Sequence, residues 1–359
     1  NSSAFVMLAV LPFLSACNQP ESPNAELFPA AGAENVNPDT HLVLTFTDSP
    51  IVGDSGMIRI YDAMSHQIVD SLDLSIPSGP TESRTYGPEC DYTKIPYDYT
   101  RTHMPTNRDT RPGTPSGTAE PTPPDYQLNI IGGFTDAFHF HPIIVRDSTA
   151  TIYLHNNMLD YNHSYYVTID EGVLTLPDHS FHGISKEHNW SFKTKDSAPT
   201  STDTLIVDAN GQGDFNTVQG ALDFIPDFSQ KQTVILIQAG DYEELVYARN
   251  KTNVKIKGAG MDRTRVHYAN NEVFNPHPLT VKTNEWPGTF PSRRAAFMLD
   301  NCSDILLEDL TIATDLHGQA EGLLLNGERI ALYSVHIIGS GDALQANEQS
   351  IWSRVNWTE

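Results

Sequence analysis

The sequence predicts a mainly β chain in two regions, a β-sandwich followed by a parallel β-helix. Three observations carry this expectation. Between Glu26 and about Lys195, seven short β-type runs are separated by turn residues, with no convincing helical pattern; that is the pattern of an antiparallel sandwich. Further on, apolar residues recur from segment to segment. Leu307, Leu310 and Ile312 are echoed by Leu332, Val335 and Ile337, and again by Trp352, Val355 and Trp357, at shifts of 25 and then 20 residues. A period of that size without a 3.6-residue rhythm points to a solenoid whose turns bury their apolar faces on one another. Between the two regions, Ser197–Asp203 (SAPTSTD) reads as a linker.

A chain of 359 residues has room for two domains, each with its own core. Its net charge of −23 argues against nucleic acid and against anionic membrane surfaces as partners.

Taken in order, the chain opens with Ala4 to Leu14 (AFVMLAVLPFL), an apolar run too short to span a bilayer. It ends in Leu14-Ser15-Ala16-Cys17, which resembles the hydrophobic region and lipobox of a bacterial lipoprotein signal. The resemblance implies cleavage before Cys17 and lipidation of its thiol. The protein would then be lipid-anchored at the outer membrane of a bacterial cell envelope, periplasmic or surface-exposed. No methionine or basic segment precedes the run, so residues 1–17 are expected to be a partial signal, with residues 18–25 a polar tether.

The sandwich runs are Leu42–Phe46, Met57–Asp62, Gln67–Leu72, Gln127–Gly133, Thr149–Leu154, Ser164–Asp170 and Asn189–Thr194. The opening LFPAAGAENVNPDTHLVLTFTD and the closing YYVTIDEGVLTLPD and WSFKT resemble bacterial Ig-like domains appended to secreted carbohydrate enzymes, over residues 26–196. Residues 77–126 form a Pro/Thr/Gly-rich insertion carrying Tyr86, Tyr92, Tyr97, Tyr99 and Tyr126. These rings are expected to pin a long loop onto the sandwich or its neighbour, with sugar stacking as the alternative. His139 and His141 alternate along a run and would share a face; without a third ligand they are expected to be packed or solvated. Cys90 and Cys302 have no Cys or His partner at zinc spacing and are expected to be structural or free.

The C-terminal region begins at Thr204 with a strand, a Gly-rich turn (GQGDF) and a helix from Thr217, its cap, to Phe224. The spacing fits neither GxGxxG nor the Walker loop, so nucleotide binding is excluded. The helix is expected to cover the open end of the solenoid, as atypical end units must. Gln232–Tyr247 and Thr252–Tyr268 are strand-rich, and a long irregular loop covers Ala269–Arg294. Gly318–Leu344 then holds an amide, Gln319, and a carboxylate, Asp342, 23 positions apart with a strand-like segment between them. Residues one coil apart lie roughly 5 Å from each other, so the two side chains should project from one face.

Five ordered motifs over Asp203–Glu359 are similar to those of the pectin methylesterase (pectinesterase, carbohydrate esterase) family. They are GQGDFNTVQGA (211–221), ILIQAGDYEELV (235–246), NVKIKGAGMDRT (253–264), TFPSRRAAF (289–297) and the pair GQAEGLLL with GSGDAL (318–325 and 339–344). The resemblance implies a right-handed parallel β-helix that hydrolyses the methyl ester of galacturonate in methyl-esterified pectin (homogalacturonan), with no metal or organic cofactor and as a monomer. It implies general acid/base work for Asp342, oxyanion stabilisation and substrate contact for Gln319, and substrate contact for Thr289. The residue types suit the reaction: an ester carbonyl needs N–H donors at its developing charge and an acid for departing methoxide. A carboxylic acid serves only if its pKa is lifted toward working pH, as a second carboxylate nearby can do.

Two departures stand out. The family's usual glutamine before the acid is Gly341 here. The nucleophilic aspartate is implied about one coil past Asp342 and an orienting arginine beyond it, so both are expected after Glu359, and the sequence as written is expected to be an inactive fragment of a longer enzyme. Arg293 and Arg294 could attract carboxylates of substrate or offset nearby acids. The rival readings are a non-catalytic surface glycan-binding protein with a degenerate esterase domain, and another pectin-acting β-helix enzyme. For the latter, a lyase would want a calcium cluster and a polygalacturonase paired aspartates, and neither pattern is present.

Overall fold

A computed structural model describes residues 24–79, 126–134, 137–186, 190–275 and 293–358, with side chains to residue 347. Cys17 and the rest of residues 1–23, Cys90 with most of the 77–126 insertion, and Thr289 lie outside the described residues.

Alternation of buried and half-buried side chains makes the N-terminal region a pair of sheets. One has the order Glu26–Phe28, Leu42–Thr45, Thr149–Ile152, Ile143–Arg146. The other runs Ala33–Val36, Ser191–Thr194, Ser164–Ile169, Met57–Asp62, Ile68–Asp73, antiparallel except for its first pair. Leu42, Leu44, Ala150 and Ile152 of the first face Ile58, Ile60, Val167 and Phe192 of the second in one core with Trp190. Inward-facing alternate residues from two sheets, about 10 Å apart, are what hold a sandwich together. The buried Trp190 indole donates to the Pro29 carbonyl at 2.8 Å, so its one polar atom is satisfied.

The C-terminal region is a parallel stack. Each of its coils lays strands on those of the coil before, and equivalent residues pair in register. Leu205, Ile235, Ile256, Leu307, Leu332 and Trp352 form one such ladder, and its first five members are essentially inaccessible. The echoes predicted from sequence are the observed register: Leu310 pairs Val335 and then Val355, and Ile312 pairs Ile337 and then Trp357. The helix Val218–Phe224 is capped by Thr217, whose hydroxyl accepts from the Gly220 N–H at 2.9 Å. Val218, Ala221 and Leu222 bury themselves in the same core as the ladder, so the helix closes the stack as expected. Cys302 is a buried free thiol, pushed up to about 12 by burial.

The two regions are docked through a third core. Gln127–Gly133, expected as a sandwich strand, is not one: only Leu128–Asn129 is paired, with Phe138–His139. Ile131, Phe134 and Phe138 turn instead onto Leu245, Tyr247, Tyr268 and Met298 of the β-helix, where they are buried. His139 and His141 both lie against Phe274, with ring centroids at 5.9 and 4.5 Å; they are packed.

Gly132 shows how close the docking is. Its φ is +63°, and a Cβ there would stand 1.7 Å from the Tyr247 carbonyl oxygen. Gly132→Ala therefore combines a left-handed penalty of about 1–2 kcal/mol with overpacking worth about 1–3 kcal/mol. A Tm lowered by roughly 5 °C or more is expected in thermal unfolding; an unchanged Tm would mean the two backbones do not approach in this way.

Candidate active site

Two loops at the edge of the stack make the site. One connects Phe297–Thr314 to Leu323–Ile338 and carries Gln319; the other leads from Ile338 to Leu344 and carries Asp342. They are joined by a pair of backbone hydrogen bonds between Ala320 and Ser340, at 3.0 and 2.8 Å, and by the Gly318 N–H to the Ser340 hydroxyl at 3.0 Å. Gln319 and Asp342 therefore flank one small bridge, and both are exposed. Gly341 takes φ +82° between them, and a Cβ there would lie 3.0 Å from the Gly318 carbonyl oxygen. The tight turn explains why this position carries no side chain.

Beneath the bridge stands Arg294. Its Nε donates to both carboxylate oxygens of Glu321, at 2.8 and 2.9 Å, and Nη2 lies 2.7 Å from Oε1 of the same group. Glu321 is completely buried. From that seat Nη1 donates to the Gln319 side-chain oxygen at 2.9 Å, Nη2 reaches Gln345 at 3.4 Å, and Glu272 stands 3.8 Å away. Burial opposes charge on Arg294, but Glu321 first, then Glu272 and Asp342, outweigh it and hold its pKa above the usual guanidinium value. The backbone of Gln319 is also fixed, its carbonyl accepting from the Glu272 N–H at 2.9 Å.

Arg293, expected together with Arg294 to meet substrate or offset acids, makes a different contact. It is buried and donates to the Ala137 carbonyl at 2.8 Å, tying the coil to the N-terminal region. Sequence reading left the role of Arg294 open and passed over Glu321. The available signal was their spacing of 27 residues, about one coil, which sets a cation beside an acid on adjacent turns.

A cluster with metal-ligand chemistry lies elsewhere: Glu243, His267 and Asp315. Two guanidinium groups already serve its carboxylates. Arg146 bonds Glu243 and stands 3.7 Å from Asp315, and Arg265 reaches Asp315 at 2.6 Å. It is an ion-pair network between the sandwich and the β-helix. A cavity of about 90 Å³ also sits at that junction, lined by Asp39, His41, Tyr153, Gln219, Glu244 and Tyr268 among others; neither Gln319 nor Asp342 lines it.

Residues 204–354 match the family model described as Pectinesterase. Among curated relatives, the chain is 29% identical over 154 residues to "Probable pectinesterase 8" of Arabidopsis thaliana, covering 42% of this chain and 38% of that one. It is 31% identical over 178 residues to "Putative pectinesterase 14" of the same plant, covering 48% and 49%. The chain thus spans under half the length of these two relatives. Among solved structures, "Pectin methylesterase from Carrot" is similar at 23% identity and a TM-score of 0.35, over 44% of this chain and 46% of that one. "Pectin methylesterase PemA from Erwinia chrysanthemi" is similar at 20% identity and a TM-score of 0.35, over 45% and 50%.

The stacked register and the family match coincide: residues 204–354, which match the Pectinesterase model, are the parallel β-helix. This stretch carries a domain that matches the pectinesterase family.

Proposed function

We propose that the protein hydrolyses methyl esters of galacturonate in pectin, releasing methanol and leaving free carboxylates on the polymer. The observation that carries this reading is the exposed pair Gln319 and Asp342, held on adjacent coils by the Ala320–Ser340 bridge within a pectinesterase-family domain. In this reading the Gln319 amide donates to the oxygen of the ester carbonyl as negative charge develops there. Asp342, as an acid, protonates the departing methoxide and as a base takes a proton from the water that completes hydrolysis. The attacking carboxylate is the one the family resemblance implies about one coil past Asp342.

Methanol release from methylated pectin by the full-length protein tests the reading. Binding of pectin without methanol release would support instead a glycan-binding protein with a degenerate site, the alternative that Gly341 keeps in view.

Charge adds a substrate preference. The product is a polyanion, and a protein of net charge −23 repels it increasingly as carboxylates accumulate, most of all at low salt. Initial rates at equal polymer concentration should rise with the degree of methylation, and the trend should flatten at high ionic strength. Rates that climb steadily as methylation falls would contradict the electrostatic argument.

A further inference from the structure

We propose that Arg294, seated on buried Glu321, is a positioning residue: it fixes the side chain of Gln319 so that its N–H groups face the ester. This rests on the reading of Gln319 as an oxyanion donor. The geometry carries it in three steps.

A guanidinium group has donors only. Because Arg294 Nη1 donates to the Gln319 side-chain oxygen at 2.9 Å, the amide must turn its oxygen inward. Its nitrogen then lies on the other side of the amide group. A glutamine side chain has three rotatable bonds to freeze, and this contact selects the end of the amide that points inward.

The guanidinium is itself held rigidly. Three contacts to Glu321 between 2.7 and 2.9 Å fix the plane of the fork, the arrangement that makes arginine a planar clamp rather than a mobile charge. The preceding residue, Arg293, is anchored in turn on the Ala137 carbonyl at 2.8 Å. Position and orientation of the fork are thus both set before substrate arrives.

Finally, the neighbouring position cannot help. Gly341 occupies a left-handed turn with the Gly318 carbonyl oxygen 3.0 Å from where a Cβ would stand. With no side chain there, position 341 offers no second side-chain donor, and the direction that Arg294 gives the Gln319 amide matters the more. A buried arginine–carboxylate pair is weak evidence of stabilisation for its own sake; here it supports a functional side chain at the surface.

A double-mutant cycle separates this role from a merely structural one. In the full-length protein, Arg294→Met should lower kcat about 10- to 100-fold, the scale of a misaimed catalytic group, with KM within about twofold of the parent value. In a Gln319→Ala background the same change should lower kcat by less than about twofold, since groups that act through each other are not additive. Equal losses in both backgrounds would overturn the proposal. Because Arg294→Met strands the Glu321 charge, the cycle is repeated with Arg294→Met/Glu321→Leu, which removes both charges at once and should show the same non-additivity.

A second readout does not depend on turnover. In protein labelled with ¹⁵N at glutamine side chains, the two Gln319 amide protons should be dispersed in the parent and collapse toward averaged shifts in both Arg294 variants. Unchanged Gln319 amide signals would overturn the proposal whether or not the protein releases methanol. Absence of methanol release by the parent would count against the esterase reading alone.

Discussion

Asp342→Asn should lower methanol release from methylated pectin by about 10²- to 10⁴-fold, the usual worth of a positioned acid or base, while leaving Tm within about a degree of the parent. Asparagine keeps the size and the hydrogen-bonding oxygen of the side chain but cannot give or take a proton. The carboxylate is exposed, and substitutions at exposed positions commonly change stability by less than about 0.5 kcal/mol. The small pairing of Ser340 with Asp342 is made by the backbone and survives the change. A loss of rate without loss of stability therefore isolates proton transfer. Equal rates for the two proteins would remove Asp342 from the mechanism, and a large fall in Tm would show that the carboxylate supports the loop instead.

What the sequence disclosed of this architecture depended on how many residues shared each signal. Stacking is a collective property: Leu307, Leu332 and Trp352 repeat because every coil must cover the one before, and the register can be read from spacing alone. The pairing of Gln319 and Asp342 on adjacent coils follows from the same register. Single-residue choices were less legible. Arg293 and Arg294 are identical neighbours, yet one turns inward to the Ala137 carbonyl and the other to Glu321; the direction is decided by partners far away in sequence. Gln127–Gly133 has the apolar content of a sandwich strand, but apolar content does not say which of two apolar walls a segment will choose. Ile131 and Phe134 chose the β-helix. Glu244 is another such case: it reads as one more residue of a strand run, but it sits between Gly240–Glu243 and Val246–Arg249 and points its carboxylate at the helix.

That last placement makes the stability of the fold depend on pH. Glu244 accepts the N–H groups of Val218 and Gln219 at 2.8 and 3.0 Å. Burial nevertheless dominates these hydrogen bonds and, with Asp39 and Asp223 nearby, pushes its carboxyl up to about 8. Asp39, bonded to Thr217 at the junction with the sandwich, and Asp223, bonded to Asn156 and Asn157 from the sandwich, are also raised by burial. The sign follows from proton counts. Between the ordinary carboxyl range and pH 8 the folded protein keeps a proton on Glu244 that the unfolded chain has released. Stability must then fall as pH rises, by about 1.4 kcal/mol per pH unit for each such proton, and level off above pH 8. On the acid side the sign reverses. Burial lowers His41 and His141 to about 4 and His139 to about 3, so below about pH 6.5 the unfolded chain binds protons that the folded one refuses. Urea unfolding from pH 5 to 8.5 should therefore show a maximum near pH 6 to 6.5. Glu244→Gln, an isostere of the protonated acid, should flatten the alkaline limb and leave the acid limb in place. If parent stability instead held level or rose from pH 6.5 to 8, the helix N–H groups would be outweighing burial, and Glu244 would be an ionised anchor for the helix.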